Sequence, residues 1–165
     1  MFSQAIKLQA QKLNRDGYAL LQTNPQRAAS LFQKAAKLDP SVPEYPSNTG
    51  VAYLNQKKYK KALNFFLEST RISPSFARGY YNQGVCYQAM RKNNEAISAY
   101  RKSIDQGNDT YGAYFNLALV YSRVGDKKNA VVYYKKFIKV APPSLVKPIA
   151  DAKKRIKQLE GAGEA

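Results

Sequence analysis

The chain is predicted to be all-α, a solenoid of four stacked helix-turn-helix units followed by one closing helix. Three observations predict it. Asn14, Asn48, Asn82 and Asn116 stand 34 residues apart, and the same step relates Ala28, Ala62, Ala96 and Ala130. Phe32, Phe66, Tyr100 and Tyr134 keep that step too, as do Tyr53, Tyr87 and Tyr121. Within each period, two stretches of helical apolar spacing flank a short polar turn. A fixed repeat of this length marks units that cannot bury an apolar face alone and do so by stacking.

In chain order, the repeats run over about 9–42, 43–76, 77–110 and 111–144 of a single 165-residue domain. In the first, Asn24 followed by Pro25 predicts an N-cap with proline opening the second helix. Residues 1–8 are expected to extend the first helix backwards. The second repeat predicts helices over Glu44–Gln56 and Tyr59–Ile72, with Lys57 and Lys58 between them. Ser41 and Glu44 have capping-box spacing. Pro46 would cost about 3 kcal/mol deep inside a helix, so that helix must begin close before it. In the third repeat, Phe76–Met90 and Asn94–Gln106 flank Arg91-Lys92-Asn93; in the fourth, Thr110–Val124 and Lys127–Val140 flank Gly125-Asp126. Pro40, Pro74 and Pro142 follow second helices and stop them. A ninth helix from Ser144 to about Leu159 places Leu145, Ile149, Ala152, Ile156 and Leu159 on one stripe, suited to capping the last repeat. Residues 161–165 read as a frayed tail, and 144–160 as the cap.

Composition turns the functional question toward surfaces. Trp and His are absent and Cys86 is the single cysteine. Without His, the commonest general base, the Ser–His and Cys–His nucleophile pairs and most zinc sites are excluded. No glycine-rich phosphate loop or carboxylate pair suggests catalysis, and no metal or cofactor is expected. Cys86 reads as a buried, unreactive thiol, with no partner to activate it or to close a disulfide. The N-terminal residues lack the apolar core of a secretory signal, and no stretch is apolar enough to span a membrane. A cytoplasmic protein is the expectation, with a removed targeting or anchoring segment left open.

The repeat positions carry a family resemblance. Gly50, Tyr53, Ala62, Phe66 and Pro74 in the second repeat match the Gly/Ala, Tyr, Ala, aromatic and Pro positions of the tetratricopeptide repeat (TPR). Gly84, Tyr87, Ala96 and Tyr100 do so in the third, and Ala118, Tyr121, Ala130, Tyr134 and Pro142 in the fourth. The third repeat has Asn108 where proline is usual, and Tyr80 and Tyr114 stand in for the family's Trp. The first repeat is weakest: Ala28, Phe32, Ala35 and Pro40 fit, but Asp16 and Ala19 replace the usual Gly and Tyr. The chain thus resembles TPR proteins over about 9–144. The resemblance implies a right-handed superhelix whose first helices line a concave groove that holds a peptide or helix of a partner.

On that reading Asn14, Asn48, Asn82 and Asn116 occupy one equivalent groove position. An amide carries donors and an acceptor, so a ladder of amides can grip peptide backbone, as similar ladders in the family do. Helical spacing around them adds Arg78, Tyr81 and Val85 in the third repeat and Phe115, Leu119 and Arg123 in the fourth. Tyr81 and Phe115 are candidate anchors, Arg78 and Arg123 candidate specificity residues. The family's two-carboxylate clamp for a C-terminal tail is not matched. Leu13 and Gly17 stand where it needs Lys and Asn, and Ser47 and Val51 fail one repeat later.

The net charge is +16. Lys57, Lys58, Lys60, Lys61, Arg91, Lys92, Lys127 and Lys128 cluster at equivalent intra-repeat turns, which stacking would align into a basic edge. The last helix is cationic on its polar face. Such surfaces either keep a protein soluble or dock an acidic protein, an anionic membrane or nucleic acid. Nucleic acid is the weakest of these, since no recognised nucleic-acid module appears. The leading expectation is a non-enzymatic adaptor for a protein or peptide. The alternatives are a self-assembling scaffold, whose groove takes an extension of another copy, and docking through the basic edge.

Overall fold

The computed structural model describes residues 3–107 and 111–161, and every regular element among them is an α-helix. The pairs α1 (Gln4–Leu20) with α2 (Pro25–Leu38), α3 (Glu44–Asn55) with α4 (Tyr59–Ile72), α5 (Ala77–Ala89) with α6 (Asn93–Asp105) and α7 (Tyr111–Arg123) with α8 (Lys127–Val140) form four hairpins. Each hairpin packs on the next, and α9 (Val146–Gly161) packs on α8. Of the expected tail 161–165, Gly161 is instead the last residue of α9, and 162–165 lie outside the described residues, as do Asn108 and the expected helix start at Thr110.

Local chemistry sets the helix ends. Asn24 accepts a hydrogen bond from the Arg27 amide at 3.0 Å, with Pro25 as the first helical residue of α2. Pro46 is the third residue of α3, where an amide proton has no intrahelical partner to lose. The expected capping box does not form. Pro43 is the N-cap of α3, so Ser41 lies two residues too early and its hydroxyl instead donates to Asp39 at 2.6 Å.

Three first helices end alike. Lys58 N–H bonds Tyr53 O at 3.0 Å and Lys57 N–H bonds Leu54 O at 2.8 Å, the paired closure of a Schellman turn. Lys92 to Tyr87 and Asp126 to Tyr121 repeat the longer bond at 2.9 Å each. The closure requires a left-handed residue, supplied by Lys57 (φ 58°), Arg91 (φ 59°) and Gly125 (φ 83°).

The periodic small and aromatic residues build the core. Ala28, Ala62, Ala96 and Ala130 are fully buried, and so are Phe32, Phe66, Tyr100 and Tyr134. Burying each such aromatic stabilises the fold by about 1.5–3 kcal/mol. A Cβ at Gly50 would lie 2.5 Å from the Phe66 ring, and one at Gly84 2.6 Å from the Tyr100 ring, so helix and ring meet without space for a methyl. The first repeat follows the same design one residue out of step. Gly17, not Asp16, faces Phe32, where a Cβ would stand 2.6 Å from the ring. Tyr18 packs edge-on to Phe32 with centroids 5.4 Å apart. Helix α9 inserts Ala152 and Ile156 into the cluster around Phe137 and Tyr134, with Ile149 and Leu159 beside them.

Candidate functional site

The four asparagines fall on α1, α3, α5 and α7, and the structure gives them different surroundings. Asn48 Nδ2 donates to Asn14 Oδ1 at 2.8 Å, and the Tyr18 hydroxyl donates to Asn48 Oδ1 at 2.7 Å. This chain of bonds ties the first helices of two neighbouring repeats. Asn116 Nδ2 donates to the Tyr81 hydroxyl at 3.2 Å, tying the third repeat to the fourth. The asparagines thus take part in stacking, which their period alone did not reveal. Asn82 differs from the other three: it is 8% exposed, yet its amide makes no hydrogen bond to any described residue. Among the described residues the fully enclosed, unpartnered side-chain polar atoms are Ser47 Oγ and Tyr134 Oη; the Asn82 amide keeps a contact with water that it can exchange for a ligand.

Tyr81 lies beside it. Its ring is 5.8 Å from that of Tyr100, and its hydroxyl accepts from Asn116. Burial pushes its pKa up and the Asn116 bond partly offsets this, so the phenol stays neutral and keeps a proton to donate. A Cβ on Gly112 would come within 3.1 Å of that hydroxyl, so the glycine leaves the space above it open.

Phe115 is a wall more than a projecting anchor. It stands edge-on to Phe137 and Tyr134, with centroids 5.0 Å and 5.7 Å away. With Tyr111, Gly112, Phe137, Leu145 and Pro148 it lines an apolar cavity of about 460 Å³ between the last repeat and the start of α9. Val85 and Leu119 are half-buried and pack on the C-terminal core. Arg78 is exposed, its guanidinium 5.3 Å from the Phe76 ring centroid. Arg123 is exposed too, but its Nη1 donates to Gln88 O and Asn93 Oδ1 at 3.3 Å each.

Two features escaped the sequence reading. Tyr18 joins the asparagine chain, and its position four residues after Asn14 was the available signal. The cavity depends on the angle of α9, for which the sequence carries no signal. Among the described residues no cluster of His, Cys, Asp and Glu could hold a metal ion. Cys86 is fully buried, and burial pushes its thiol pKa up to about 12. No helix among the described residues is long and apolar enough to cross a membrane.

Comparison with protein families finds tetratricopeptide-repeat matches over residues 18–77, and over 77–106 and 111–144. The chain belongs to the tetratricopeptide-repeat family. Solved TPR structures superpose on it. A crystal structure of MamA has a TM-score of 0.73 at 25% identity, covering 79% of this chain and 77% of that one. MamA 41-end from Desulfovibrio magneticus RS-1 gives 0.70 at 27% identity, over 79% and 75% of the two chains. The first TPR of Spaghetti (RPAP3), bound to the HSP90 peptide SRMEEVD, gives 0.70 at 22% identity over 72% and 98%, a likeness of fold alone. No curated protein matches the chain by sequence.

Proposed function

We propose that this TPR protein is an interaction module that holds a peptide segment of a partner along the face formed by α1, α3, α5 and α7. The amide of Asn82, unpaired within the fold and still reached by water, carries the reading. It offers donors and an acceptor to peptide backbone at the centre of the asparagine row, while the other three amides are engaged within the fold. The neutral Tyr81 hydroxyl adds a second donor, and the cavity beside Phe115 takes an apolar side chain. Arg78 and Arg123 favour acidic residues in the segment. That a TPR of this fold in RPAP3 has a peptide bound supports a peptide as the occupant.

A free C-terminal carboxylate is not the recognised feature. At the positions where the family's clamp needs polar groups, Gly17 is buried beneath Phe32 and Ser47 is fully buried.

Selection of peptides from a displayed library on the immobilised protein tests the reading. Selected peptides titrated by fluorescence polarisation should bind Asn82→Ala about tenfold more weakly, with the urea midpoint nearly unchanged. Nuclear magnetic resonance should place their shifts on α3, α5 and α7. Undiminished affinity in Asn82→Ala, with shifts on α2, α4 and α6, rules the groove out.

A further inference from the structure

The intra-repeat turns form a second surface, independent of the groove. Lys57, Lys58, Lys60, Lys61, Arg91, Lys92, Lys127 and Lys128 are all exposed there. The turns adjoin in space. Met90 from the third repeat closes a cleft of about 500 Å³ against Lys57, Lys58, Tyr59, Lys60 and Lys61 of the second. Arg123, at the end of α7, reaches Asn93 at the start of α6.

Among the described residues none of these side chains forms an ion pair. The two ion pairs among the described residues, Lys135–Glu160 and Arg155–Asp151, lie elsewhere. Lys58 bonds only the neutral Gln56 amide, and Lys61 sits 5.6 Å from the Tyr53 ring centroid. The acids nearest in sequence are Glu95, which is exposed, and Asp126, which is occupied as the N-cap of α8 by Asn129. Lys57 and Arg91 moreover occupy the left-handed position that Gly125 fills in the last repeat. A side chain there costs about 1 kcal/mol relative to glycine, and neither side chain makes a hydrogen bond or ion pair with another described residue.

Apolar side chains are interleaved with the charges. Val124 is 44% exposed, Met90 and Tyr59 are half-exposed, and Met90 and Val124 are equivalent residues of successive repeats. We infer that this row of turns docks on an anionic lipid surface, with the lysines against the headgroups and Val124, Met90 and Tyr59 reaching the apolar boundary. Lysines are flexible point charges without the planar fork that reads a particular phosphate or base, so they suit a diffuse negative plane. Exposed aliphatic tips gain nothing from a nucleic-acid backbone but gain free energy at the acyl boundary.

Co-sedimentation with vesicles of phosphatidylcholine alone, and with added phosphatidylserine, tests this on the full chain. Binding is expected only to the anionic vesicles and should fall steeply from 0.1 to 0.5 M salt, concentrations chosen around the screening range. Two variants of equal net charge separate the ridge from bulk charge: Lys57→Glu, Lys58→Glu, Lys60→Glu and Lys61→Glu together, and Lys147→Glu, Lys153→Glu, Lys154→Glu and Lys157→Glu together. The first should lose at least about a hundredfold in affinity and the second far less. Val124→Ser should weaken binding about fivefold with charge unchanged. Lys57→Gly with Arg91→Gly should weaken it on the order of tenfold while raising the urea midpoint, which excludes misfolding as the cause. Equal losses in the two charge-reversed variants, or tighter binding to an oligonucleotide or a poly-glutamate peptide than to vesicles, would overturn the assignment.

Discussion

At the scale of single residues, chemically identical side chains at one repeat position perform different work. Asn48 exchanges hydrogen bonds with Asn14 and Tyr18, so Asn48→Ala leaves the half-buried Asn14 amide and the exposed Tyr18 hydroxyl without that partner. It should cost about 1–3 kcal/mol in urea unfolding, whereas Asn82→Ala should change stability by less than about 0.5 kcal/mol. The reverse order would show that Asn82 is a packing residue. Cys86 adds a pH dependence. Its folded pKa of about 12 lies above the ordinary 9.0, so the folded state holds the thiol proton longer than the unfolded chain does. Stability from this group is complete below pH 9.0 and is lost as pH rises toward 12. Denaturation midpoints across that range should fall less steeply in Cys86→Ala than in the parent. The native thiol should also react slowly with a disulfide reagent at neutral pH.

At the scale of the elements, each hairpin is held by a ring lying where a Cβ is missing. The Tyr100 ring is fully buried and cannot swing aside for a methyl on Gly84. Gly84→Ala should therefore destabilise by about 1–3 kcal/mol, against the gain in helix propensity that alanine would otherwise bring. Calorimetry of this variant beside Gly112→Ala makes the comparison. The space above Gly112 ends on the movable Tyr81 hydroxyl, so that change should cost little. Equal losses at both positions would mean that propensity, not ring contact, decides these sites.

At the scale of the whole molecule, the stack is nearly one-dimensional, and its stability is a sum over neighbouring interfaces. Helix α9 shields the last interface by burying Ala152 and Ile156 against the cluster around Phe137. Removal of residues 146–161 should lower the melting temperature, expose Phe137 and Leu117 neighbours to solvent, and produce concentration-dependent association by analytical ultracentrifugation. A truncated chain that stays monomeric with an unchanged melting temperature would show that α9 is not a cap. The two exposed ion pairs contribute little beside these apolar contacts.

Period, proline placement and the alanine and aromatic positions were enough to specify helix order and the stacked fold, because local spacing decides which faces are apolar. The first repeat shows the limit: Gly17 works one residue away from the place the period assigns, since only the facing Phe32 ring determines which residue must lack a Cβ. The capping box expected at Ser41 fails to form for a similar reason, the place where α3 starts. The sequence alone determined that four asparagines share one position. Tertiary structure alone decided that Asn14, Asn48 and Asn116 are consumed by neighbouring repeats while Asn82 keeps an unpaired amide. A hydrogen bond between residues a full repeat apart depends on how two helices sit side by side, and that geometry belongs to the stack, not to any stretch of chain.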